Sequence, residues 1–229
     1  MPGTAWSSGA RCRSRSTRCG DRFRGAEPCW ARGGAARGIT LNVPKGDKVR
    51  PATDGMRQAV FSSLGARVAD ARFLDLFAGS GAYGLEAISR GASGGVFVEQ
   101  NAKAAACIRQ NIEAVCKSVG RPSTGISVLQ LDARSVPASG VVPVPDLVFV
   151  DPPYEIIEEI APMVFAKLAE ALAAKPQALV VFEFPGELEL VPEGWEMLKR
   201  LGKGARQPTV AFFQRAGSRA SETDGASRG

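Results

Sequence analysis

The chain predicts an α/β domain: a mostly parallel β-sheet covered by helices on both faces. Three observations lead there. Strands and helices alternate from residue 72 onward. The strands are continuous apolar runs, such as Leu147-Val148-Phe149-Val150, rather than the in/out alternation of a sheet with one wet face. A glycine-rich stretch, Asp75-Leu76-Phe77-Ala78-Gly79-Ser80-Gly81-Ala82-Tyr83-Gly84, joins the first of these strands to a helix. At 229 residues and 45% hydrophobic, the chain fills one core and is marginal for two.

The elements follow in order. Residues 1–36 are rich in Arg, Ser, Gly and Ala without periodicity, which predicts a disordered head. Residues 37–50 read as a short strand and turn. A helix spans 54–64, capped by Thr53, with Met56, Val60, Phe61 and Leu64 on one face. Strand one covers 72–78, and a helix from 81 to 90 stops at Gly91. Strand two covers 95–99, a helix 102–118, strand three 126–131 and strand four 146–150. A long helix over 155–174 keeps Ile156, Ile160, Val164, Leu168 and Leu172 in register, while Pro162 predicts a kink or break near Ala161. Strand five covers 178–183. Segments 195–201 and 210–214, joined by 202–208, form a closing pair. One domain therefore runs from 37 to 215, and 216–229 is a polar tail expected to be disordered.

Composition removes several classes of function. No apolar run approaches the roughly 18 residues of a membrane span, and the Arg-rich N-terminus lacks the apolar segment of a secretory signal. Of five cysteines, Cys12, Cys19 and Cys29 lie in the head. Cys107 and Cys116 lie on opposite sides of one helix. This is no disulfide framework, and it fits a reduced, cytoplasmic setting. There is no histidine, which removes His-based triads, His general bases and most zinc sites, so no metal is expected. The net charge of +6 sits entirely in residues 1–37; residues 38–229 balance to zero. A basic head fits nucleic-acid binding and equally fits solvated disorder.

The chemistry concentrates at strand ends. Asp151-Pro152-Pro153-Tyr154 follows strand four, at the sheet edge where open α/β proteins bind ligands. The prolines remove two N–H donors. Acceptors beside an aromatic ring suit a planar group carrying an NH2, as on a nucleobase or amide. Gly79, Gly81 and Gly84 form G-x-G-x-x-G at a helix N-terminus, where backbone can approach a ligand; a packing turn is the alternative. Glu99 ends strand two, twenty residues past Gly79, where a carboxylate can take both ribose hydroxyls. NAD and S-adenosylmethionine both fit that much. Asp75 favours the latter: its acid can order the loop and face an ammonium, and would repel a pyrophosphate. Asp132, after strand three, can accept from an adenine amine or cap a helix.

Together these residues resemble the Rossmann-like S-adenosylmethionine-dependent methyltransferases that modify exocyclic amines. The nearest likeness is the RsmD family of bacterial 16S ribosomal RNA guanine-N2 methyltransferases. It runs from about Arg37 to Arg215 and rests on Arg50-Pro51-Ala52-Thr53-Asp54 with Arg57, the loop from Phe73 to Ala82 with Gly84-Leu85-Glu86-Ala87, Val98-Glu99, Asp132-Ala133 and the Asp-Pro-Pro-Tyr. The upstream Arg-Pro-x-Thr-Asp points to this family. The resemblance implies a seven-stranded sheet with an antiparallel last strand. It implies methyl transfer from S-adenosylmethionine to a guanine N2 of 16S ribosomal RNA, free or in an assembling small-subunit particle, by a monomer. It assigns catalysis to Asp151, Pro152, Pro153 and Tyr154. It assigns the cofactor to Asp75, Phe77, Ala78, Gly79, Ser80, Gly81, Gly84, Glu99, Gln100, Asp132 and Ala133. RNA contacts fall to Lys45, Lys48, Arg50, Thr53 and Arg57 within an RNA-docking segment 37–64, with Lys203 and Arg206 beyond it. The chain departs from the family at Gly55, where a basic residue is usual, at Gln100, and in its extra head.

Rival readings differ in what they require. A DNA adenine-N6 methyltransferase shares the chemistry but normally adds a target-recognition region, for which little sequence remains. A glutamine-modifying protein methyltransferase typically has Asn before Pro-Pro. An NAD oxidoreductase needs a proton relay; there is no histidine, and neither Tyr83 nor Tyr154 begins a Tyr-x-x-x-Lys pair. Cytosine-C5 chemistry needs a cysteine near a strand end, and none stands there. A non-catalytic RNA-binding protein on the same scaffold would not need Asp151 and the glycine loop intact.

Overall fold

The computed structural model describes residues 29–30, 34–36, 38, 40–42, 54–136, 143–202, 204 and 207–218. Their elements are β1 (Cys29–Trp30), β2 (Thr40–Leu41), α1 (Asp54–Leu64), β3 (Arg72–Leu76), α2 (Ala82–Ser89), β4 (Gly94–Val98), α3 (Ala102–Ser118), β5 (Ile126–Leu129), β6 (Leu147–Val150), α4 (Ile157–Ala171), β7 (Leu179–Pro185), β8 (Trp195–Leu201) and β9 (Pro208–Arg215). Strands β3 to β9 form one seven-stranded sheet in the order β5-β4-β3-β6-β7-β9-β8. The first five are parallel to their neighbours, and β9 lies antiparallel between β7 and β8. This is the predicted mostly parallel sheet with an antiparallel last strand. From β3 the chain builds outward to β5 and then crosses back to β6 on the other side. The crossing leaves a switch point between the C-terminal ends of β3 and β6, where such sheets hold ligands.

Two cores explain the continuous apolar strands. Successive residues of a strand point to opposite faces. Phe73, Phe97, Leu147, Phe149 and Val181 face a core shared with Val60 and Phe61 of α1, Leu85 and Ile88 of α2, and Ile108 and Val115 of α3. Leu74, Leu76, Val148, Val150, Val180 and Phe182 face the other, with Ile157, Ile160, Val164, Phe165 and Leu168 of α4. Each such side chain contributes about 1.5–3 kcal/mol on burial. The edge strand β5 is only half covered, with Ser127 and Leu129 exposed. It ends at Leu129, two residues short of the predicted boundary, because its ladder partner β4 ends at Val98, the residue paired with Leu129.

The long helix differs from expectation in two ways. Tyr154–Ile156 form a 3-10 turn ahead of α4, and α4 continues through Pro162 without a break. A proline there removes one N–H and crowds the carbonyl four residues back. Ile160, Ala161, Val164 and Phe165 around it are buried against the sheet, and that packing holds the helix through the defect.

Before α1, Cys29–Trp30 pair antiparallel with Thr40–Leu41. Ala35 N donates to Ser89 O (2.8 Å) and Ala36 N to Ser89 Oγ (2.9 Å). Asn42 exchanges bonds with Asn111 of α3, its N donating to Oδ1 (2.8 Å) and its O accepting from Nδ2 (3.0 Å). Ala36 and Leu41 are buried, so the described residues 34–36 and 40–42 are tied to α2 and α3. Cys107 and Cys116 are both free thiols. No helix among the described residues is long and apolar enough to cross a membrane.

Gly84 shows how tightly α2 lies on the sheet. A Cβ there would stand 2.3 Å from Phe97 Cε1 and 2.7 Å from Phe73 Cε2, two rings already edge-to-face at 5.1 Å. Gly84→Ala is therefore expected to destabilise the domain by about 1–3 kcal/mol. Urea unfolding would show this as a lowered midpoint at unchanged slope; an unshifted midpoint would mean that the rings yield freely.

Candidate active site

Strand register brings the chemistry to one level. Leu76 pairs with Val98 on one side and Val150 on the other, and Val150 pairs with Phe182. Residues 99, 77, 151 and 183 therefore lie at one level: Glu99, Phe77 and Asp151 follow the ends of their strands, while Glu183 stays inside β7 opposite Val210 of β9. Counting back by twos, Asp75 shares the face of Glu99, Asp151 and Glu183, while Phe77 packs against the core on the α4 side.

The β3–α2 turn is built from unusual backbone. Phe77, Gly79 and Gly81 have φ of 59°, 54° and 80°, in the left-handed region that favours glycine. Phe77 is the exception; a bulky side chain held there marks strain that the surroundings must impose. Ala78 N donates to Val98 O (3.0 Å) and Gly81 N to Ala78 O (2.7 Å), which closes the turn. Two carboxylates then clamp it. Glu99 Oε2 accepts from Gly79 N (2.7 Å) and its Oε1 from Asn101 N (2.7 Å). Asp75 Oδ2 accepts from Gly84 N (2.9 Å). Asp75 is only 2% exposed. Burial lifts its pKa far above the ordinary carboxylate range, to about 8; the Gly84 N–H opposes the rise and the nearby Glu99 charge adds to it.

The remaining predicted cofactor residues surround this turn. Gly79 is exposed, Ser80 half-buried, and Ala78 and Ala133 buried. Gly84 faces the Phe97 and Phe73 rings. Gln100 is exposed, and its neighbour Asn101 caps α3 by accepting from Lys103 N and Ala104 N. Asp132 caps the 3-10 turn Ala133–Ser135 through Arg134 N (2.8 Å). It also takes the Arg134 guanidinium at 2.7 Å, whose hydrogen bonds hold its carboxyl below the usual range.

Beyond β6, the backbone of residues 151–153 offers acceptors and no spare N–H. Asp151 N donates to Leu76 O (3.4 Å), and Pro152 and Pro153 have no N–H. Pro153 O accepts from Ile156 N (3.2 Å). Pro152 is buried, Pro153 exposed, and Asp151 and Tyr154 half-buried.

Two buried residues near this segment escaped the sequence reading. Tyr83 Oη donates to Glu183 Oε2 at 2.9 Å; they are 6% and 4% exposed. The Tyr83 ring stacks on Phe149 (5.3 Å, 17°). Burial first, then the charges of Glu183 and Asp151, push the phenol well above its usual pKa. The available signal was an acid at 183 closing the apolar run from Leu179, since a charge in such a run demands a partner. Arg57, expected at phosphate, is instead 4% exposed and close enough to act on the Tyr83 phenol. The available signal was spacing: Arg57 stands three, four and seven residues before Val60, Phe61 and Leu64, on the apolar face of α1. Lys45, Lys48, Arg50, Thr53, Lys203 and Arg206 lie outside the described residues. Among the described residues no group of three or more Cys, Asp or Glu could hold a metal ion.

Comparison with known proteins agrees with this geometry. The family model described as Conserved hypothetical protein 95 matches residues 31–214. The chain is 32% identical over 196 residues to ribosomal RNA small subunit methyltransferase D of Escherichia coli, covering 84% of this chain and 92% of that protein. It is 31% identical to the protein of the same name from Haemophilus influenzae, covering 75% and 86%. Among solved structures, YhhF of Escherichia coli superposes with a TM-score of 0.66 at 28% identity, covering 82% of this chain and 98% of that one. An RNA methyltransferase of Salinibacter ruber solved with S-adenosyl-L-homocysteine shares the fold, with a TM-score of 0.51 at 16% identity, covering 72% and 93%.

The Asp75 carboxyl sets a pH dependence that a chain without histidine leaves clear. Its pKa is higher folded than unfolded, so between the ordinary carboxylate range and about 8 the folded state holds a proton that the unfolded state has lost. Stability then falls as pH rises through that window, with a slope approaching about 1.4 kcal/mol per pH unit. Asp75→Asn, which keeps an acceptor for Gly84 N, is expected to remove most of this slope in urea unfolding followed from pH 5 to 8. Parallel curves for the two proteins would contradict an Asp75 neutral at pH 7.

Proposed function

This chain belongs to the Conserved hypothetical protein 95 family together with the ribosomal RNA small subunit methyltransferase D proteins, and on that footing we propose that it methylates the exocyclic N2 amine of a guanine in 16S ribosomal RNA. The methyl donor is S-adenosylmethionine, and the substrate is the RNA alone or in an assembling small-subunit particle. One observation carries the choice of an amine. At the end of β6, Asp151 N is occupied and the next two residues have no N–H, so the backbone of residues 151–153 presents only acceptors. A ring NH2 satisfies that arrangement, and a keto oxygen does not.

The residues around the β3–α2 turn fit the donor. S-adenosylmethionine brings an ammonium, a ribose and an electrophilic methyl on a sulfonium. Glu99 stands at the end of β4 with both oxygens already bonded to backbone N–H groups, which fixes its remaining lone pairs for a ribose diol. Asp75, held neutral at pH 7 by its burial, would regain its charge beside an ammonium. Phe77, Ala78, Gly79, Ser80, Gly81, Gly84 and Gln100 shape the turn and its rim, while Asp132 and Ala133 stand where the adenine would lie.

The residues after β6 act on the base. The guanine amine is a poor nucleophile because its lone pair is delocalised into the ring. Asp151 Oδ and the Pro152 carbonyl accept its two hydrogens, which orients the amine and favours localisation of the lone pair. Tyr154 stacks on the base, and Pro153 holds the turn between them. Most of the acceleration is positioning and electrostatics, and Asp151 receives the proton that leaves the amine. A paired or stacked guanine must first be exposed. Lys45, Lys48, Arg50 and Thr53 belong to the RNA-docking segment, which meets phosphate. An adenine N6 would meet the same acceptors, so the product nucleoside decides between the two purines.

Tritiated methyl transfer to 16S RNA, naked and in small-subunit particles, tests this reading, with digestion to nucleosides. Wild type is expected to yield N2-methylguanosine, and Asp151→Ala to lose at least about a hundredfold in rate. Label in N6-methyladenosine would overturn the guanine assignment, and an undiminished Asp151→Ala would overturn the role given to that side chain. Donor binding is also expected to release up to one proton near pH 7, seen by calorimetry in buffers of different ionisation enthalpy and absent from Asp75→Asn. Equal heats in all buffers would remove Asp75 from the ammonium.

A further inference from the structure

Four ionisable side chains converge behind the Asp-Pro-Pro-Tyr segment, and only one of them has been given a part in the chemistry. Register puts Glu183 level with Asp151 on the neighbouring strand and on the same face, since Val150 pairs with Phe182. Tyr83 of α2 reaches both strands. Its ring lies on Phe149, two residues before Asp151, and its hydroxyl donates to Glu183. That hydroxyl is also near enough to Asp151 to feel its charge. Phe61 of α1 closes the outer side of the ring at 6.4 Å. Arg57, on the same helix, supplies the nearby positive charge.

We infer that Tyr83, held by Glu183, is a positioning residue for Asp151. The inference rests on the reading of Asp151 given above. The physical reasoning is short. A phenol has one proton, and here it goes to Glu183, which fixes the hydroxyl between two strand ends. Glu183 is almost fully buried and cannot drift, because β7 is paired on both sides: Phe182 with Val150 of β6, and Glu183 itself with Val210 of β9. The ring therefore forms a rigid wall on the side of Asp151 that faces α2, and its oriented hydroxyl limits where a charged carboxylate can settle. Neither residue touches substrate: their side chains are buried beneath the edge. Tyr83 thus works on the rate through the geometry of the acid, and donor affinity does not depend on it.

Steady-state methyl transfer at saturating donor, paired with donor binding by calorimetry, tests this in the full chain. Tyr83→Phe keeps the ring and its stack on Phe149 and removes only the hydroxyl. It is expected to lower kcat by about tenfold, the worth of one charge-assisted hydrogen bond, while Kd for S-adenosylmethionine stays within about twofold. Glu183→Gln keeps an acceptor for the phenol and is expected to retain most of kcat. Glu183→Leu removes the acceptor and is expected to fall as far as Tyr83→Phe. Because donor binding reports folding in every variant, a fall in melting temperature alone is not mistaken for the effect. Full kcat in Tyr83→Phe, or equal losses in Glu183→Gln and Glu183→Leu, would overturn the inference. Asp151→Ala in the same assay separates the two readings: if it is inactive while Tyr83→Phe is fully active, only the positioning role fails. An active Asp151→Ala removes the base-binding role of Asp151, and the inference falls with it.

Discussion

A carboxylic acid inside a parallel sheet must be satisfied by something, and at Asp75 the partner is the Gly84 N–H. That bond reaches from the middle of the sheet into the first turn of α2. It fixes where the helix begins, and therefore the left-handed residues between strand and helix. Glu99 repeats the device from the next strand by taking the Gly79 N–H. Two buried acids thus define one turn with no side-chain cap on α2 itself. The cost is a carboxyl kept neutral by burial. A loop clamped by its own acids is pre-formed, so a ligand meets a shape already made and loses little to ordering the chain.

Much of this was legible from residues alone. Continuous apolar strands at regular intervals gave the layered sheet, because a strand covered on both faces has no polar side to show. The glycine spacing and the acid at 99 gave the turn, because few residues tolerate positive φ. What stayed hidden shares one cause: it depends on which strands become neighbours. Glu183 reads as a stray acid at the end of an apolar run until β7 is laid beside β6. Tyr83 reads as an ordinary helical residue until α2 is folded over Phe149. Arg57 looked like a surface charge from its place beside the Arg-Pro-x-Thr-Asp segment, and α1 turns it inward. Pro162 was read as a break because local propensity says so; burial of the residues around it overrode that. Asp132 was open between cap and ligand contact, and the structure gives it the cap while leaving its adenine role to experiment.

The two ends of the switch point differ in character. On the β3 and β4 side the carboxylates are committed to backbone donors, and their geometry is set by the turn. On the β6 and β7 side the acid stands after its strand, followed by two prolines that have no N–H. One side suits a ligand held the same way each time. The other suits a base that arrives on a large polymer and must be gripped by few contacts, with phosphate attraction left to residues elsewhere.

The placement of β9 has a consequence for how the chain is born. Strand β7 comes off the ribosome with one edge bare, and β8, next in sequence, does not cover it. Only Pro208–Arg215, made after both, slide in between and pair with both. Until then Glu183 has no strand on its outer side and the wall behind Asp151 is unfinished. An N-terminal part can settle early during synthesis, but the Glu183 side of the sheet closes only once β9, made after both of its neighbours, has been added between them.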